Sequence, residues 1–423
     1  MLVVSWAIAL SSKSDGQKQA ELIAQSEAYM GDKIYVYAVP LLEEAAGYDA
    51  EHTFEAEAAL KEAYLQMDDQ SAYRSKYASL LEKQMGRKGA PPETFIEAAN
   101  FYFDRSKLSE AYAVLKDGIA KTGDGRLIDL YESRRYAYDI GNGAYEDVSA
   151  IFGATIAVKI NGLWGLANSD GRLFVPCEYD KVSTYDAGRA IVQKGGEIFA
   201  IDRSNNRLAL LKETAFDFGN YAGGRVALLT DDGWKRSTGD FQIGSMAFEQ
   251  IGAYSNGHAA AMQDGRWGVI DISSTWLIPA EHDGVVMDEL GRSYAQDAAF
   301  VMDGGFARLF VGGSLAGGPY EDARPFGDEG YAAVKSGGKW GYIDVAGELA
   351  IDFKFDDALS FGQHLAAAKL GGRWGYINLK GDMVIGPEFL QAKSFAGGNA
   401  PVLTERGWQF ISLAEYKKGA GLL

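Results

Sequence analysis

The residues with which this chain could do chemistry are few and scattered. Four histidines (His52, His258, His282, His364) and one cysteine, Cys177, are spread over 423 residues, and no Cys/His cluster has the spacing of a zinc site. A lone cysteine closes no intramolecular disulfide. The glycine-rich run Val311–Pro319 has no lysine with which to hold phosphates and reads as a turn. G-x-S-x-G, H-E-x-x-H and EF-hand patterns are missing, and acid/base pairs such as Asp202 and Glu213 have no accompanying pattern. The residue types therefore predict no catalytic residue, no cofactor site and no metal site.

Two weaker constellations admit chemistry. Asp180, Glu249, Asp283, Glu321 and Asp356 recur at similar places along the chain. A ladder of carboxylates is calcium chemistry; the competing reading, that each caps a turn by accepting a backbone N–H, is preferred because no segment supplies several oxygen ligands close together. The chain also carries 8 Trp, 23 Tyr and 21 Phe. Such rings stack on sugars, and carbohydrate binding predicts exposed rings outside any packing pattern, for instance Tyr221, Trp276 or Tyr294.

The elements that must position these residues are repeats. Gly338–Asp344 reads G-K-W-G-Y-I-D, Gly372–Asn378 reads G-R-W-G-Y-I-N and Gly265–Asp271 reads G-R-W-G-V-I-D. Weaker relatives place anchors at positions 164, 198, 234, 267, 306, 340, 374 and 408, spaced by 34, 36, 33, 39, 34, 34 and 34 residues. The anchors that are tryptophan are Trp164, Trp234, Trp267, Trp340, Trp374 and Trp408. A second column follows each of six anchors (Tyr179, Phe248, His282, Tyr320, Phe355 and Phe389), and a third comes shortly after it at Tyr185, Tyr254, Phe326, Phe361 and Phe395. His282 thus stands where other units carry a ring, which predicts packing, not ligation. Ala332–Asp344 reads as two short strands around a Gly-Gly turn, and a third strand such as Met383–Ile385 follows. One such unit cannot bury both faces alone, so neighbours must stack. A glycine after the tryptophan, as at Gly341, allows a backbone or ring to approach where a Cβ would clash. The copies anchored at 198, 234 and 306 depart from the Trp-Gly pattern and are expected to be looser.

These residues closely resemble the WG-repeat family, named for the Trp-Gly pair. The resemblance implies an all-β array of about eight units and a repeat protein of a kind common in bacteria. Three strands per unit fall short of the usual four per propeller blade, which favours an open solenoid or superhelix over a propeller-like ring.

Composition divides the chain near residue 150. The first 150 residues hold 10 glycines and the remaining 273 hold 42, so helix is expected before the division and turn-rich strand after it. In the first part, Phe95, Ala98, Ala99 and Tyr102 fall on one helix face and Leu108, Ala111, Leu115 and Gly118 on another. Leu22, Ser26 and Tyr29 with Ala38, Leu42 and Ala45 repeat the register. Residues 53–87 form a degenerate unit with Tyr64, Tyr73, Tyr77 and Leu80, and 126–140 read as a capping helix containing Tyr136. These offsets resemble the tetratricopeptide repeat, which implies a peptide- or protein-binding concave face.

The expected class is therefore α+β multidomain, with an N-terminal segment over 1–16, a tetratricopeptide-like helical domain over 17–145 and a WG-repeat β domain over 151–418. Residues 2–10 are apolar and too short to span a bilayer. They read as a signal or anchor remnant or as a first helical turn; the former slightly favours an extracytoplasmic site, leaving membrane contact only through an anchor missing upstream. A formal charge of −17 opposes nucleic acid. The sequence-based expectation is a non-enzymatic scaffold for a protein or peptide partner, with extracytoplasmic carbohydrate or cell-wall binding as the alternative.

Overall fold

The computed structural model describes residues 13–210, 215–238 and 241–414, so the apolar stretch 2–10 and Glu213 lie outside the described residues. Two compact units divide between Arg135 and Tyr136.

The first unit contains, among the described residues, seven helices: α1 Asp15–Gly31, α2 Tyr35–Gly47, α3 Thr53–Gln66, α4 Ser71–Met85, α5 Pro92–Phe103, α6 Leu108–Thr122 and α7 Gly125–Arg134. Local chemistry fixes several ends. Ser14 and Gln17 form a capping box at the start of α1, Pro92 sits in the first turn of α5, and Gly123 closes α6 in the left-handed conformation. The faces expected from periodicity are buried: Phe95, Ala98, Ala99 and Tyr102 of α5 and Ala111 and Leu115 of α6. A Cβ on Gly118 would lie 2.8 Å from the Phe95 ring, so that glycine is a close-approach position. Tyr29 departs from its expected register, being 39% exposed and packed on Tyr37. The predicted capping helix is shorter than expected. It stops at Arg134, and Tyr138–Ile140 is a strand of the second unit.

The second unit is all β. Among the described residues its strands form eight four-stranded antiparallel sheets, seven of them built in chain order from a two-residue inner strand, a hairpin and an outer strand. Blade 1 runs over residues 147–179, blade 2 over 181–210, blade 3 over 217–248, blade 4 over 250–282, blade 5 over 284–320, blade 6 over 322–355, blade 7 over 357–389, and blade 8 over 391–413. Blade 8 borrows its fourth strand from the other end of the chain: Tyr138, Asp139 and Ile140 pair with Leu413, Ser412 and Ile411. Tyr145 bridges to Trp408, and Val148, Ile151, Ile156, Val158 and Ala167 of blade 1 share a core with Trp408 and Phe410 of blade 8. The array is therefore a closed eight-bladed propeller, and the open solenoid favoured by counting three strands per unit is corrected. The uncounted strand is the inner one, such as Asp357–Ala358, whose two residues are too short to show any alternation.

The copies expected to be looser are complete blades. Blade 5, with its expected anchor at Phe306, has all four strands in one sheet, and its long spacing comes from the connection after its inner strand: twelve residues separate Val285 from Ala298, against six or seven in the other blades.

Candidate functional site

In the third strand of blade 6, Lys339–Asp344, every repeated residue has an assigned contact. Trp340 is the cross-strand partner of Phe355, and Trp374 of Phe389, Trp164 of Tyr179, Trp234 of Phe248 and Trp267 of His282 recur in the same way. In these five blades the second ring column is the outer-strand partner of the anchor; in blade 5 Tyr320 pairs with Ala307, so the anchor place there is Ala307 and not the expected Phe306. Register shifts between Trp340 and Tyr342, and a Cβ on Gly341 would lie 2.6 Å from the Ile351 carbonyl oxygen. The glycine thus admits the bulged outer strand of its own blade.

Tyr342 carries the third column. Its ring lies 4.8 Å from Phe361 of blade 7 and its hydroxyl donates to the Leu359 carbonyl at 2.9 Å. Tyr376 repeats this with Phe395 of blade 8 at 4.7 Å and Lys393 at 2.9 Å. Burial pushes both phenols well above their ordinary range, so they stay neutral donors. Asp344, at the end of the motif, accepts the N–H groups of Ala346 and Glu348, both at 2.9 Å. That Asx turn was missed in the sequence, although the final Asp/Asn of each motif copy was its signal.

The anchors differ in exposure. Trp340, Trp374 and Trp408 are 3%, 8% and 6% exposed, whereas Trp164, Trp234 and Trp267 are half-buried. The carboxylate ladder caps turns. Asp180 accepts from Gly195 N–H at 2.8 Å, Asp283 from Gly304 at 2.9 Å and Glu321 from Gly338 at 3.0 Å; Glu249 and Asp356 do the same for Gly265 and Gly372. Glu146, absent from the sequence reading, serves Asn161 and Gly162 in blade 1. His282 packs edge-on against Phe310 at 5.3 Å and meets Asp303 at 3.0 Å. His258 packs at a tilt against Tyr294 at 4.2 Å, and His52 precedes α3 and contacts Glu55. Asp202 is an Asx-turn acceptor for Ser204 and Asn206.

The rings proposed for sugar stacking are not available to it. Tyr221 and Tyr294 are 1% and 4% exposed, and Trp276 is half-buried edge-on against Phe248 at 6.0 Å. The ring pattern therefore does not favour the carbohydrate reading.

The helical unit holds a large exposed aromatic, Phe54, that stands beside cations. Glu57, on α3, has a fully buried carboxylate. Burial alone would raise its pKa, but Arg87 at 2.6 and 2.8 Å, Gln84 at 2.9 Å and Lys83 at 3.1 Å overcome that and hold it below its ordinary value. Arg87 is thereby fixed, with its guanidinium 5.2 Å from the Phe54 ring, and Phe54 is 73% exposed. Lys61 is oriented by Glu97 at 2.5 Å, which also accepts from the Tyr77 hydroxyl at 2.7 Å. Phe54, Ala58, Lys61, Arg87, Lys88 and Pro91 surround a cavity of 270 Å³. An apolar floor rimmed by three cations suits an apolar group that carries negative charge.

Residues 164–197, 245–267, 320–340, 340–374 and 374–408 match the family model described as WG containing repeat. The β unit belongs to the WG-repeat family. No curated protein matches the chain. Among solved structures, a eukaryotic initiation factor is similar to the WG-repeat propeller with 11% identity over 63% of this chain and 83% of that one, at a TM-score of 0.41. KlHsv2 with loop 6CD replaced by a Gly-Ser linker is 11% identical over 65% and 98%, at 0.36, and the Neurospora crassa Pan2 WD40 domain 8% identical over 64% and 88%, at 0.32. At such scores these likenesses add nothing to the eight blades, which rest on the strand order itself.

Proposed function

We propose that this chain is a non-enzymatic scaffold that binds a protein partner through its helical unit, the WG-repeat propeller serving as a rigid platform. The helical pairs, expected over residues 17–145 and ending at Arg134, are read as tetratricopeptide-like. The observation that carries the proposal is the Phe54 groove: an aromatic left in water, a guanidinium locked beside it and two lysines at its rim. Large rings flanked by fixed cations are the kind of residue on which interfaces concentrate their binding energy. The partner is a peptide segment bearing acidic residues next to an apolar side chain, since the groove offers both complements.

The propeller supports this reading by subtraction. Its repeated Trp, Gly, Tyr and Asp residues are occupied by stacking and turn capping, as the contacts above describe, and they leave no convergent polar cluster in the repeat columns for chemistry. The test is binding of an acidic-aromatic peptide library to the full chain, with Phe54→Ala and Lys88→Glu as comparators. Selected peptides should carry Asp or Glu within two residues of a large apolar side chain, and each substitution should weaken them by about 1–2 kcal/mol. Peptides that bind both variants as tightly as the parent would remove the groove from the proposal.

A further inference from the structure

The twelve-residue connection in blade 5 is twice the length of its counterparts, and its contacts show where the extra residues go. Gly291 offers its carbonyl to the Ala253 N–H of blade 4 at 2.8 Å, and Leu290 offers its own to the Asn220 side chain of blade 3 at 2.9 Å. Glu289 pairs with Lys393 of blade 8, and the Arg292 guanidinium lies 5.9 Å from the Phe152 ring of blade 1. In an eight-bladed ring, blade 1 stands opposite blade 5. A loop rooted in blade 5 that reaches blades 8 and 1 has crossed the axis.

The segment is also stiff in itself. The Asp288 carboxylate accepts the N–H groups of Leu290 and Arg292, both at 2.9 Å, and holds the Arg292 side chain at 2.7 Å, while Leu290 is buried. Gly252 of blade 4 has no room for a Cβ, which would fall 2.6 Å from the Gly291 carbonyl oxygen and 2.9 Å from Met287 Sδ. The fit is that of a packed element, not of a surface loop.

We infer that Met287–Arg292 is a plug that fills the propeller axis on this face and braces blade 5 against blades 1, 3 and 8. Neighbouring blades already share cores, so a tie across the axis adds what nearest-neighbour stacking cannot: coupling between opposite sides of the ring.

Amide hydrogen exchange on the full chain tests this, comparing the parent with a deletion of residues 287–291 and with the milder pair Asn220→Ala/Glu289→Ala. The reporters are the Lys393 N–H of blade 8 and the Phe152 N–H of blade 1, bonded at 2.9 Å to Pro401 and Thr155. The controls stand at the places in blades 6 and 7 that match Lys393: Arg324 N–H, bonded to Ala333 at 2.8 Å, and Leu359 N–H, bonded to Ala367 at 2.9 Å. Both reporters should exchange roughly tenfold faster in each variant, as for loss of a charge-assisted contact, with the two controls unchanged. Unchanged reporters, or reporters and controls accelerated alike, would overturn the brace. Should the deletion fail to fold, the double substitution, which leaves the loop in place, decides by the same two readings.

Discussion

Single side chains decide how the blades hold together, and their costs differ in kind. Trp340 and Trp374 are buried in cores shared with the next blade, so Trp340→Ala and Trp374→Ala should each lower stability by about 3–5 kcal/mol in urea unfolding. Trp276, half-buried at a blade edge, should cost less than half as much. Gly341→Ala adds one methyl group where the Ile351 carbonyl oxygen already stands 2.6 Å from its position, and should cost about 1–3 kcal/mol by overpacking against backbone. Glu57 sets a pH dependence. Its folded pKa is depressed below the unfolded value of about 4.3, so its contribution is complete above that value and is lost as pH falls through the folded one. Helical circular dichroism during urea unfolding from pH 6 to pH 3 should show the helical midpoint dropping at the acid end, and Glu57→Gln should flatten that drop. The Trp, Tyr and Phe columns were legible in the sequence because a 34-residue period returns each residue to the same cross-strand or cross-blade partner. Glu57 was not legible: among the many glutamates of the helical part, nothing in its neighbours along the chain announces that Arg87, thirty residues on, will bury it.

At the level of elements, the hairpins, the Gly-Gly turns and the helical faces could be read, because each declares itself over six or more residues. The inner strands could not. Lys181–Val182 or Asp322–Ala323 is two residues long and is a strand only because the next hairpin supplies a ladder for it. Capping carboxylates lie between the two kinds: their recurrence was visible, and only the geometry of the facing turn assigns them to its N–H groups. The turn that follows each third strand allows a graded prediction. Asp344 in blade 6 and Asn378 in blade 7 accept the same pair of N–H groups through one side-chain oxygen. Asp344→Asn should therefore be nearly neutral, whereas Asp344→Ala should cost about 1 kcal/mol, measured as the shift in urea midpoint. Equal losses for the two would mean that the carboxylate's charge matters and its turn geometry does not.

For the whole molecule, closure is the property that repeats alone do not reveal. The strand that completes blade 8 is Tyr138–Ile140, which precedes every repeat and stands some 270 residues from its partners Ile411–Leu413. No periodicity points to it, and three visible strands per unit argued for an open array. A propeller fragment that begins at Tyr136 keeps this strand and should unfold in one cooperative transition; a fragment that begins at Ile151 lacks it and should be markedly less stable. Closure itself is a statement about distance. Asn399 of blade 8 donates to the Ser169 hydroxyl of blade 1 at 3.1 Å although 230 residues separate them. Eight sheets stacked in an open array at about 10 Å each would set those residues about 70 Å apart. The decisive measurement is cross-linking of a full-length Ser169→Cys/Asn399→Cys protein, with Cys177→Ser to remove the native thiol, by a short bis-maleimide. A closed ring predicts rapid intramolecular linkage in the monomer, independent of protein concentration; linkage only between molecules, or none, would contradict the ring.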